Sequence, residues 1–153
     1  MQNDVTKDKN YEKQDRYKRL HEQLTKAIKN EFWFEACMIE YAILEDRTSA
    51  ILYYGKVCGD AYSSRKKLGN KLNSIEYQIG KKHPIISKKV DPNLISQLKE
   101  WKEKRNDLVH RACVSYEEER AAAVAMEGII LIRRLQNDSA KVTRAAKKED
   151  GNG

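Results

Sequence analysis

The stretch that decides the fold is residues 31–54, EFWFEACMIEYAILEDRTSAILYY. On a helix, its apolar side chains lie almost all the way round, which is typical of a helix buried at the centre of a bundle. Two carboxylates, Glu40 and Asp46, interrupt the apolar stripes. A carboxylate in such a position needs a cationic partner or a shifted pKa. We expect either an internal salt bridge, for example to Arg47, or a role for one carboxylate in a site.

Amphipathic stretches flank this central helix. Periodicity predicts a first helix over 11–30 and a third over 61–79. A fourth helix begins at Asp91-Pro92, with aspartate as the N-cap and proline at the first helical position. The capping-box pattern Ser115-Tyr-Glu-Glu118 predicts the start of a fifth. Since no strand alternation is present, we predict an all-α protein, an antiparallel up-and-down bundle of four to five helices.

Length and composition indicate one domain. The chain has 153 residues, of which 35% are charged, with two prolines and seven glycines. This composition suits a helical protein. We expect residues 11–146 to form a single helical domain between disordered ends at 1–10 and 147–153. Residues 80–90 are the predicted connector, with His83 as an exposed loop residue.

The charge balance favours polyanionic partners. Thirty Lys and Arg against 23 Asp and Glu give a formal net charge of +7. A solvated basic surface explains the same balance, and both interpretations stay open. The cysteines lack paired spacing and the histidines are scattered, so neither a metal site nor a cofactor is predicted. No apolar run reaches membrane-spanning length and no secretory leader is evident, so we expect a cytoplasmic protein without membrane contact.

The fourth helix carries the residues that indicate a catalytic function. Towards its end the apolar stripe gives way to Arg105, Asn106 and His110. Asn106 and His110 lie four residues apart on one face, and Arg105 lies about 100° round the helix with a side chain that reaches the same space. A guanidinium, a carboxamide and an imidazole together can bind a phosphate and transfer a proton beside it. This combination suits the cleavage of RNA.

The stretch Arg105-Asn-Asp-Leu-Val-His110 resembles the R-x4-6-H motif of HEPN domains, a family of all-helical proteins. There too, a small polar residue follows the arginine, and the motif lies late in the bundle. The resemblance implies a metal-independent endoribonuclease whose two motifs meet across a homodimer, in the role of a toxin or defence factor with an antitoxin or regulatory partner. It also implies an acidic residue from an earlier helix, for which we favour Asp46 over Glu40. Ala112 stands where some HEPN toxins have a modifiable tyrosine, which argues against control of that kind.

The resemblance gives each residue a role. His110 would remove the proton of the ribose 2′-OH or protonate the 5′-oxygen that leaves. Arg105 would neutralise the phosphate as charge develops on it. Asn106 would orient His110 or the phosphate, and Asp46 or Glu40 would hold Arg105. The RNA substrate would supply its own nucleophile.

Other interpretations remain open. The stretch from Arg16 to His21 has the same spacing as the motif, but its second position is Tyr17 on the packing stripe, so a charged helix face explains it better. Arg105 and His110 also suit the negative end of a helix dipole without any catalytic role. The chain could instead be a non-catalytic module that binds nucleotides or nucleic acid, or a helical interaction protein.

Overall fold

The computed structural model describes residues 2–57 and 67–152, with side chains for 11–57 and 67–151. The helices in these ranges are α1 (Gln2–Lys29), α2 (Trp33–Tyr54), α3 (Leu68–Gly80), α4 (Ile86–Lys89), α5 (Pro92–His110) and α6 (Glu118–Asn152). No strand occurs in the described ranges, so the prediction of an all-α helical bundle is confirmed. The predicted start of the third helix at Ala61 lies outside the described residues.

α2 is the central helix, as its apolar composition predicts. It packs against α1, α3 and α6 and also touches α5. Its interior side chains are at most 1% exposed: Ala36, Cys37, Ile43, Leu44, Ile51 and Leu52. Because neighbours cover it on several sides, the positions of α2 that face them are apolar or small, apart from the buried Glu40.

The most extensive helix–helix contact is between α2 and α6, which run parallel. Cys37 lies against the carbonyl of Ala121 near the start of both helices. At the other end, Lys56 pairs with Asp150 at 2.8 Å. α5 runs the opposite way along α6, because Trp101 meets Val124 and Gln97, earlier in α5, meets Arg134, later in α6.

α3 also runs parallel to α2, so the predicted alternation of an up-and-down bundle is wrong. Tyr41 is hydrogen-bonded to the backbone of Leu68 at the start of α3. Beyond the end of α3, His83 meets Gly55 just after α2. The connection over residues 55–67 is long enough for α3 to run parallel to α2, since a chain of this length reaches up to roughly 40 Å. That exceeds the length of α2, about 33 Å.

α5 begins and packs as predicted. Asp91 is its N-cap and accepts the backbone N–H of Asn93 at 2.9 Å, with Pro92 at the first position. The Trp101 ring is fully buried, and its Nε1 donates to the carbonyl of Val124 at 2.9 Å. The remaining stripe is equally buried: Leu94, Leu98 and Leu108. This stripe fixes which side of α5 faces solvent, and therefore where the motif residues project.

α1 and α6 are longer than predicted. Residues 2–10 and 147–152, which we expected to be disordered, are helical. No proline or glycine interrupts residues 2–10. At the other end, Ala146 is buried and Asp150 pairs with Lys56, so the last turns of α6 are attached to the end of α2. None of the described helices combines the length and apolar character needed to cross a bilayer.

α6 begins later than its capping-box pattern predicts. The helix starts at Glu118, and residues 115–117 before it have no regular secondary structure. The ring of Tyr116 meets that of Phe34 edge-on, with 6.5 Å between centroids. This contact joins the segment before α6 to the start of α2, and with α6 starting at Glu118, Ser115 is not at the N-cap position.

His83 is half-buried, not the exposed loop residue we predicted. Its Nδ1 accepts the backbone N–H groups of Ile85 and Ile86 at 3.2 and 3.1 Å. Because Nδ1 is an acceptor, the proton of a neutral ring lies on Nε2, which donates to the carbonyl of Gly55 at 2.8 Å. His83 therefore joins the start of α4 to the end of α2 and has a structural role.

Candidate active site

Arg105 is held in place by α2. Its guanidinium lies over the ring of Tyr41, with Cζ 4.2 Å from the centroid. Nη1 donates to Oδ1 of Asn106 at 3.1 Å, and Nη2 lies 3.0 Å from Sδ of Met38. Nε is buried and donates to no acceptor among the described atoms. An aromatic ring, an amide and a thioether therefore position this cation.

Arg105 differs from the other half-buried arginines. Among the described residues, Arg47 and Arg134 are also half-buried, and they pair with Asp46 at 2.5 Å and Asp91 at 3.3 Å. Arg105 forms no ion pair within the described ranges. Its positive charge is therefore partly withdrawn from water without a carboxylate to balance it, which favours the binding of an external anion.

His110 is exposed in the last turn of α5. It makes no hydrogen bond or ion pair with any residue that the structure describes. Five helical positions separate it from Arg105, which places the two side chains about 140° apart around the axis. The structure thus brings Arg105 and Asn106 together as expected, but it does not place His110 in contact with either.

Asp46 does not hold Arg105, contrary to our preference. Its Oδ2 accepts from Nε and Nη2 of Arg47 at 3.0 and 2.5 Å, and Oδ1 lies 3.6 Å from Nζ of Lys13. The Arg47 guanidinium also lies over the ring of Tyr17, 4.6 Å from its centroid. The alternative we had left open, an internal salt bridge to Arg47, is what the structure contains.

Glu40 is fully buried, and neither carboxyl oxygen has a hydrogen-bond partner among the described atoms. Burial raises the pKa of the Glu40 carboxyl to about 9, so the group is a neutral acid at pH 7. It lies directly against Gly128 of α6, where an added Cβ would come within 2.5 Å of the carboxyl carbon.

Glu40 shares a region of the interior with Arg105 without pairing to it. The pKa of the Cys37 thiol is raised to about 12: burial is the main cause, Glu40 also raises it, and Arg105 lowers it. Both groups therefore lie close enough to act on the same thiol. Of the two candidate carboxylates, Glu40 is the one on the Arg105 side of α2.

A second cationic cluster, which the sequence analysis missed, lies beside His110. Asp107 accepts from Arg111 at 3.2 Å and from Arg120 at 2.7 Å, so two arginines share one carboxylate. The spacing of Asp107 and Arg111 along one helix was visible in the sequence. Arg120 belongs to α6, and no periodicity within α5 could have revealed it.

The Arg16–His21 stretch does not form a comparable site. Arg16 is exposed and lies 3.9 Å from Glu12 on the same helix. His21 is half-buried, with Nε2 2.9 Å from Nε2 of Gln136, which also donates to the Tyr17 hydroxyl at 2.7 Å. A charged helix face with one packed histidine is therefore the correct interpretation.

Exposed apolar side chains surround the end of the bundle that carries the motif. Phe32 is 56% exposed and Met38 43% exposed at the start of α2. Val114 and Tyr116 are 90% and 42% exposed in the segment after α5. We call these four residues the apolar patch. Through Met38 it adjoins the Arg105 guanidinium.

Within the described ranges, no group of three or more His, Cys, Asp or Glu residues is placed to hold a metal ion. Comparisons with models of protein families, with curated proteins and with solved structures find no match to this chain. The HEPN resemblance therefore rests on the motif residues of α5.

Proposed function

We propose that this chain is a HEPN-like, metal-independent endoribonuclease that cleaves RNA by attack of the ribose 2′-OH, at a site completed across a homodimer. The observation that carries the proposal is the state of Arg105. It is half-buried and held by Tyr41 and Asn106, yet it forms no ion pair with a described residue. A cation fixed in this way needs little rearrangement to stabilise charge on a phosphate.

Each side chain of the proposed site has its own role in the reaction. The scissile phosphate lies against Arg105, and the amide of Asn106 donates to a phosphate oxygen while its Oδ1 accepts from Arg105. The 2′-oxygen bonds to phosphorus as the bond from phosphorus to the 5′-oxygen breaks. One proton leaves the 2′-OH and one reaches the 5′-oxygen, giving a 2′,3′-cyclic phosphate and a 5′-hydroxyl. His110, exposed to solvent, serves one of these transfers.

A single copy lacks some of the acid and base groups that cleavage needs, and a homodimer supplies them. Cleavage needs an acid and a base, whereas one copy offers His110 alone near Arg105, and the two do not touch. A two-fold interface repeats the same surface on both copies, so it brings two histidines and two arginines together. Within the apolar patch, Val114 and Tyr116 supply exposed apolar surface for such an interface, since exposed apolar surface commonly marks association sites.

The test is cleavage of a labelled single-stranded RNA in EDTA. Wild type is expected to cleave it, and a 2′-deoxy substitution at the cleaved position is expected to stop the reaction. His110→Ala and Arg105→Ala should each lower the rate by roughly a hundredfold or more. Arg134→Ala is the matched control, because it removes a half-buried arginine that already has a carboxylate. A requirement for magnesium, or activity that survives both motif substitutions, would overturn the proposal.

A non-catalytic nucleic-acid-binding module is the second candidate. It is favoured by the separation of His110 from Arg105 within one copy, since binding needs the cation alone. Salt-dependent RNA binding without cleavage would support it over the nuclease. The toxin or defence role comes from the HEPN resemblance alone. Its test is expression in cells: wild type should arrest growth, and His110→Ala should not.

A further inference from the structure

An open groove lies where the end of α1 meets the start of α2. Its volume is about 550 Å³, within the roughly 300–1,000 Å³ of typical small-molecule sites. Phe32 and Phe34 line it, with Ala27 and Ile39 as further apolar lining. Phe32 is more than half exposed, so its ring is accessible to a ligand.

Polar side chains complete the lining of this groove. Gln23 and Lys26 contribute from α1, and Glu35 contributes from α2. The amide and the carboxylate can donate and accept hydrogen bonds, as the edges of nucleobases require. Aromatic rings beside such groups are the usual means by which proteins bind unpaired bases, which stack on the rings. Lys26 adds a positive charge suited to the RNA backbone.

Met38 links the groove to the candidate active site. It lines the groove, and its Sδ lies 3.0 Å from Nη2 of Arg105. One side chain therefore separates the two. We propose that the groove binds one unpaired nucleobase of the RNA strand whose phosphate lies on Arg105. The position of that phosphate rests on the proposed function, whereas binding of the base does not require cleavage.

The charged lining argues for a nucleobase over a second copy of the chain. Interface cores are depleted in lysine and glutamate, and Lys26 and Glu35 both line this groove. If a copy docked there, both charges would be buried or displaced. A flat base leaves them at the solvent edge, where Glu35 can bond its amino groups.

The test measures binding without cleavage. The probe is a fluorescent single-stranded RNA with 2′-O-methyl groups at every position, which removes the nucleophile. Phe32→Ala is expected to weaken binding about tenfold, with an unchanged dependence on salt because no charge is removed. Tyr77→Ala is the matched control, since Tyr77 is equally exposed but lies near the far end of α3. Gln23→Ala is expected to change the preference among oligo-U, oligo-C and oligo-A.

Each outcome decides between the two proposals. Equal RNA affinity for wild type and Phe32→Ala overturns the nucleobase site, even where wild type cleaves RNA. If Phe32→Ala binds RNA more weakly and wild type does not cleave RNA, the nucleobase site is supported and the ribonuclease proposal is overturned. Light scattering at the assay concentration gives the mass of each variant. A dimer that dissociates in Phe32→Ala, with unchanged affinity per chain, would assign the groove to a second copy and overturn the inference.

Discussion

At Glu40, burial determines both the charge and the pH dependence of the fold. Its pKa is raised from 4.5 to about 9 on folding. Between these values the folded chain holds a proton that the unfolded chain has lost, so stability falls as pH rises through this window and is greatest below it. We predict that Glu40→Gln abolishes this loss. The advantage of the variant over wild type in unfolding free energy should grow with pH, by at most about 1.4 kcal/mol per unit.

Urea unfolding between about pH 5.5 and 8 measures this difference. Glu22→Gln is the control, because Glu22 is exposed on α1 and its substitution should shift stability little at any pH. A constant difference between wild type and Glu40→Gln over this range would mean that Glu40 is not buried as a neutral acid.

Asp46 shows how far a residue's role can be predicted from its position on a helix. Its place on an apolar stripe predicted a partner, and the candidate Arg47 was correct. We predict that Asp46→Asn lowers stability by about 1 kcal/mol or less, since the pair is partly exposed. The cleavage rate per folded molecule should not change, because Asp46 bonds Arg47 and Lys13. A lower cleavage rate at unchanged stability would show that Asp46 does contribute to the site.

At the scale of the elements, the α2–α6 contact depends on Gly128. Alanine in a helix is normally about 1 kcal/mol better than glycine. Here its Cβ would overlap the enclosed Glu40 carboxyl at 2.5 Å, and overpacking typically costs about 1–3 kcal/mol. We predict that Gly128→Ala destabilises the fold and that Glu40→Ala in the same chain restores part of the loss.

A double-mutant cycle by urea unfolding measures that coupling. Gly69→Ala is the matched control. Its Cβ would meet only the Nζ of Lys102, the movable end of a long side chain, at 2.8 Å. No loss is expected there. Independent, additive effects of the Gly128 and Glu40 substitutions would show that the two helices do not meet as described.

The positions of the helices along the chain were largely predictable from the sequence, but which helices pack together, and in which direction, was not. Periodicity identified α2 as central, and Asp91-Pro92 gave the start of α5, because both depend on local sequence. The parallel course of α3 depends on where a long connection leads, which no helical periodicity encodes. For the same reason Arg105 could be identified as a candidate site residue, while its contact with Tyr41 required two helices to be packed together.

At the scale of the whole molecule, several helix ends meet at one end of the bundle. α2, α3 and α6 begin there, whereas α1 and α5 end there, and the Asp107–Arg111–Arg120 cluster joins the end of α5 to the start of α6. Arg105, the groove and the apolar patch all lie at this end. A partner that covers it, whether RNA or a second copy, therefore contacts the cations and the exposed rings together.

Mixing two inactive variants tests whether the site is shared between two copies. Within one copy Arg105 and His110 do not touch, so each must act with a group from elsewhere if both are catalytic. We predict that wild type is a dimer at micromolar concentration by light scattering. Arg105→Ala and His110→Ala, each nearly inactive alone, should recover part of the wild-type rate when they are mixed and allowed to exchange. The mixed dimer carries one intact Arg105 and one intact His110 in the shared site, so it regains phosphate binding and one of the two proton transfers. Native mass spectrometry of differently tagged chains confirms that mixed dimers have formed. If mixed dimers form and are no faster than either variant alone while wild type cleaves RNA, pairing of Arg105 from one copy with His110 from the other is overturned.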